Sequence, residues 1–115
     1  MINLLSILKI LSLIATAATG VLALVAPQSA QGFTGLTIAG PRGVTEVRAV
    51  FGAAFIALGI APFLLKVPET YRLIGIMYLA IALVRVISMF LDHSIEKSNI
   101  ISLATEIVLG IILVI

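Results

Sequence analysis

The sequence holds no cysteine, no tryptophan and a single histidine, His93, and only 10% of its 115 residues are charged. Each scarcity removes a class of function. Without cysteine there is no disulfide, no thiolate nucleophile and no zinc–thiolate centre. One histidine cannot build a multi-histidine metal site within the chain. No serine has a histidine for company at a plausible membrane depth, so a hydrolase triad is not expected. The seven Lys and Arg are scattered singly, and a formal charge of +2 offers no basic patch of the kind nucleic acid requires. No metal and no cofactor are expected, nucleic acid is excluded as a partner, and the balance leans against an enzyme.

Hydrocarbon fills the space that polar chemistry leaves. The chain is 62% apolar with a mean hydropathy of +1.31, whereas soluble domains carry roughly a quarter charged residues. A helix needs about 20 apolar residues to cross a bilayer core of about 30 Å. The sequence has room for four such runs, so the expected fold is all-α: an integral membrane four-helix bundle, one membrane domain over 1–115, with helices at about 3–26, 41–65, 69–91 and 98–115. The first run is interrupted only by Lys9 and by the small residues of Ala15 to Gly20, which would let another helix approach closely. A cleaved signal peptide is its rival, with Lys9 closing a basic region and Ser29-Ala30 as the cleavage site. The run is longer than a typical signal core of about 7 to 15 residues, which favours a membrane helix.

The long loop, 27–40, is polar and glycine-rich, and either lies exposed or folds back as a lid or a short extended piece. Gly40 and Pro41 suit the cap and first position of the second helix. On that helix Gly52 and Gly59 share a face with Arg48, and Pro62 can kink its end. Tyr71 and Tyr78 offer an aromatic anchor to the third helix, and Ser98 or Asn99 can cap the fourth. Asp92, His93 and Glu96 fall in a turn, where a solvated histidine is the plain expectation.

Charges inside apolar runs are costly and usually need a partner or a task. Glu46, Arg48, Arg85 and Glu106 are such charges. At about 1.5 Å per residue they all lie roughly 8 to 12 Å inside the same half of the bilayer. They form the candidate ligand-binding or buried charge cluster, with Ser102 beside Glu106 and with Ser88 and Asp92 beside Arg85 at helical spacing. Glu46 and Arg48 sit about 200° apart on a helix, so one of them has to reach sideways. Alternatively, a buried ion-pair network does no more than lock helix register. With Lys9, Lys66 and Arg72 on one side and Arg42 and Lys97 on the other, the positive-inside rule places both termini in the cytoplasm.

Gly-Pro followed by Glu46-x-Arg48-Ala49, a small-residue helix from Gly52 to Gly59, Arg85 late in the third helix and Glu106 in the fourth form a familiar set. It resembles a widespread bacterial family of small four-helix membrane proteins catalogued as a domain of unknown function, and is loosely similar to DoxX-like proteins. The likeness spans nearly the whole chain, and on it Glu46, Arg48, Arg85 and Glu106 match the family's charged positions. The stretch Val50-Phe51-Gly52-Ala53 departs from the resemblance, which implies a more polar aromatic and a glycine pair there. The family implies a fold and a residue set but no reaction; the expected location is a bacterial inner membrane.

Three functions follow as expectations. The first is an outward-facing pocket that binds a lipid, a quinone or another amphipathic molecule, with arginine toward its polar head. The second is a proton-coupled exporter of small-multidrug-transporter type, a homodimer with Glu106 as carrier. Those transporters place their essential glutamate in the first helix, which here has none. The third is a structural accessory subunit that uses its glycine faces to hold partners.

Overall fold

The computed structural model describes residues 3–115. The chain is all-α. Its elements are α1 (Leu4–Val25), a 3-10 turn (Pro27–Ser29), α2 (Ala30–Thr34), α3 (Pro41–Leu65), α4 (Pro68–Leu91) and α5 (Lys97–Val114). Helices α1, α3, α4 and α5 are long and apolar enough to cross a membrane. The described chain divides into two compact units: residues 10–65 form one, and residues 3–9 with 66–115 form the other.

Polarity in these helices is distributed as in a protein dissolved in lipid. Leu64, Leu73, Leu83, Phe90 and Leu91 point outward, whereas Ser12, Thr16 and Glu106 are buried. Hydroxyls find their partners inside the helices: Thr16, Thr19 and Thr105 each donate to the carbonyl four residues back. That bond satisfies a hydroxyl where no water is available.

In the first unit α1 and α3 touch backbone to backbone. A Cβ added at Gly20 would lie 2.5 Å from the Gly52 carbonyl oxygen, and one at Gly59 would lie 2.7 Å from the Ala17 nitrogen and the Leu13 oxygen. Gly20, Gly52 and Gly59 are therefore contact positions, which is why the small residues recur on these helices. The middle of α3, Val47–Ala53, is wound as a π-helix, a rare form with a wider turn. Nothing in the sequence signals it. Pro62 is buried within the last turns of α3.

The 27–40 segment is partly ordered rather than a plain loop. Helix α2 ends at Gly35, whose φ of 77° is left-handed, and the Gln31 side chain accepts a hydrogen bond from the Ile38 amide at 2.7 Å. The chain is thereby folded back toward Gly40, which precedes Pro41 at the start of α3 with a φ of 99°. Both positions suit glycine because its lack of a Cβ removes the left-handed penalty.

In the second unit α4 and α5 form an antiparallel hairpin. A Cβ at Gly75 would lie 2.9 Å from the Gly110 carbonyl oxygen, and one at Gly110 would lie 2.6 Å from Leu79 Cδ2. Near the start of α4, the Lys9 ammonium sits 5.8 Å from the centre of the Tyr71 ring. The cap of α5 differs from the expected one. Glu96 is the N-cap, without a side-chain bond, and neither Ser98 nor Asn99 fills that role. Asn99 is drawn instead toward α4, where a stronger acceptor role awaits it.

Replacing Gly59 with valine is expected to destabilise the protein by about 1–3 kcal/mol through overpacking. Gly32→Ala, with no atom within 4 Å of the new Cβ, should be neutral or slightly stabilising. Thermal unfolding in detergent micelles followed by circular dichroism separates the two, and an unaffected Gly59→Val protein would show that the seam between α1 and α3 is not close-packed.

Candidate functional site

Arg85 is one turn and a half from the end of α4, and Glu106 lies midway along α5. Because the two helices run antiparallel from the Gly75–Gly110 contact, Arg85, ten residues further along α4, falls opposite the stretch of α5 between Asn99 and Glu106 and reaches both. Arg85 Nε donates to Glu106 Oε1 at 2.8 Å, and Nη2 donates to Oε2 at 2.7 Å. This two-bond fork matches the planar guanidinium to the planar carboxylate, and it fixes orientation as well as distance. The Glu106 side chain is 11% exposed and the Arg85 side chain 30%.

A third bond completes the arrangement. Arg85 Nη1 donates to Asn99 Oδ1 at 2.8 Å, while Asn99 Nδ2 donates to the Ser94 carbonyl at 2.9 Å and to the Ser94 hydroxyl at 3.4 Å. Asn99 thus ties the guanidinium to the turn between α4 and α5. Asn99, Ser102 and Glu106 lie three and four residues apart, along one face of α5. That spacing was the signal by which Asn99 could have been found from sequence. Ser102 is half-buried on this face, and Asp92 is exposed at the end of α4.

Beside the fork lies an open groove of about 610 Å3, lined by Ala80, Ile81, Val84, Arg85, Ser88 and Asn99. One wall is apolar. Its polar edge consists of Arg85, Asn99 and Ser88, and both ends of the Asn99 amide are already engaged.

Glu46 and Arg48 have other partners, in their own unit. Arg42 Nη1 donates to Glu46 Oε1 at 3.0 Å, with side chains 80% and 48% exposed. This pair spans one turn of the same helix, and an exposed pair of that kind contributes about 0.3–0.5 kcal/mol. Arg48 Nε donates to the Leu24 carbonyl at 3.0 Å. Leu24 lies in the last turn of α1, where carbonyls lack an intrahelical donor, so Arg48 closes the end of a neighbouring helix. Gly52, four residues on, meets the same residue: its Cβ would lie 3.3 Å from the Leu24 Cα. Of the expected charges, then, Arg85 and Glu106 are joined across two helices, Glu46 pairs along its own helix, and Arg48 binds backbone. Among the described residues no group of three or more His, Asp or Glu could hold a metal ion.

Asn99→Ala removes one of the three bonds to Arg85 and releases the turn at Ser94. A loss of about 1–2 kcal/mol is expected, read as a lowered midpoint of unfolding in micelles. An unchanged midpoint would mean that Asn99 does not support the pair.

No curated protein and no solved structure matches the chain, and the looser likeness to DoxX-like proteins finds no support. A family model described as Domain of unknown function (DUF4345) matches residues 4–115, nearly the whole length, and the chain belongs to that family.

Proposed function

We propose that this is a small integral membrane protein that binds the polar head of an amphipathic molecule in the groove beside Arg85, with both termini on the cytoplasmic face of a bacterial inner membrane. The apolar outward faces of the helices support the membrane setting, and Lys9, Lys66 and Arg72 support the orientation.

The observation that carries the binding role is the donor inventory at the groove. A guanidinium has five N–H groups, and Arg85 commits three of them to Glu106 and Asn99. Two remain, on Nη1 and Nη2. Ser88, on the same groove, has no side-chain hydrogen bond among the described residues. Donors at one edge and Ala80, Ile81 and Val84 along the wall suit a molecule with an acceptor oxygen at one end and hydrocarbon behind it.

Charge narrows the class further. Glu106 neutralises Arg85, so the groove presents hydrogen-bond donors without net charge. A neutral carbonyl, as in a quinone or a lipid ester, fits that balance better than a strong anion. The same fork bears on the exporter alternative: both Glu106 oxygens accept from Arg85, which supports a fixed anion over a carrier that must release its partner to take a proton.

Ser88→Leu fills the groove without touching the pair. Purified protein mixed with a short-chain ubiquinone as probe should retain it, as read by mass spectrometry, and the variant should lose most of that retention at an unchanged unfolding midpoint. Equal retention by both proteins would count against the groove.

A further inference from the structure

We infer that Arg48 is a second ligand site, one that holds the phosphodiester of a membrane phospholipid in the leaflet next to the α1–α3 connection. The inference rests on the membrane setting and not on the groove at Arg85.

Geometry comes first. Arg48 is exposed and spends Nε on the Leu24 carbonyl. That bond orients the guanidinium, and neither Nη group has a bond among the described residues. The free edge is the fork that matches two oxygens of a phosphate.

Charge comes second. The ion pairs among the described residues are Arg42–Glu46 and Arg85–Glu106, and Arg48 belongs to neither. Its nearest acid in sequence, Glu46, is engaged by Arg42 at 3.0 Å. A full positive charge is therefore left uncompensated where α3 turns from its polar first turns to an unbroken apolar run. This is the opposite of Arg85, whose charge is cancelled within the protein.

Depth comes third. The 25 residues of α3 span roughly 37 Å at about 1.5 Å per residue, against a hydrocarbon core of about 30 Å. Each end therefore projects a few ångströms into the headgroups. Arg48 lies seven residues into α3, and its guanidinium is fastened to the end of α1, one residue before Val25. A long basic side chain in that position reaches the headgroup level, where lipid phosphate is the abundant anion.

The test uses the purified full chain in detergent micelles, incubated with dioleoylphosphatidylglycerol or with dioleoylglycerol, which has the same acyl chains and no phosphate, and analysed by native mass spectrometry. The wild type should retain the phospholipid and not the diacylglycerol. Arg48→Gln should lower phospholipid retention about tenfold, as expected for loss of a charge-assisted hydrogen bond, while Arg48→Lys should keep part of it. Because Arg48→Gln also removes the cap on α1, its helicity is checked by circular dichroism. If that variant does not fold, the comparison of the two lipids on the wild type still decides. Equal retention of both lipids by the wild type, or undiminished phospholipid on folded Arg48→Gln, overturns the site. Displacement of the phospholipid by inorganic phosphate alone would make it a site for a free anion and overturn the lipid assignment.

Discussion

A guanidinium and a carboxylate facing each other in hydrocarbon leave little freedom to the helices that bear them. Inserted alone, each charge at the centre of a membrane helix costs about 2.5–3.5 kcal/mol. Paired through two bonds, with a third to Asn99, they become a polar object that a low-dielectric interior can hold. The price of holding it is geometric, since the fork tolerates neither a shift of one turn nor a rotation of either helix. The register of α4 on α5, the position of the groove and the neutrality of its donors all follow from that constraint.

Glycine provides the complementary device. At Gly75 and Gly110 the helices of one hairpin come within backbone contact, and at Gly20, Gly52 and Gly59 those of the other do the same. In lipid there is no hydrophobic gain from bringing two apolar helices together, so close approach and internal hydrogen bonding must do it. The two arginines show how one residue type serves different ends. Arg85 meets an acid and is neutralised, whereas Arg48 meets a carbonyl, caps a helix and keeps its charge.

Periodicity and apolar run length were enough to foresee all the long helices, because a bilayer imposes both. The facing of Gly52 and Gly59 was legible for the same reason, and so was the presence of a charged centre at Arg85 and Glu106. Partners were harder to read. Estimated depth groups Glu46 with the membrane charges, but the helix begins at Pro41, so Arg42 already stands one turn before it on the same face. The same depth groups Arg48 with the other charges, yet the unpaired carbonyls at the end of a helix are also strong acceptors. Asn99 looked like a cap and proved to be a bridge, since Arg85 competes for its oxygen. The π-helix at Val47–Ala53 and the short helix α2 have no marker in apolar run length or helical spacing.

A double-mutant cycle on Arg85→Met and Glu106→Leu probes the organising role of the pair most directly. Either single change strands a charge between the helices, while the double change leaves an apolar contact of similar size. Reversible unfolding in micelles should give a coupling of about 1–3 kcal/mol, with the double variant well above the sum of the single losses. Additive effects, with no coupling beyond error, would show that the two side chains act separately and that the groove has some other foundation.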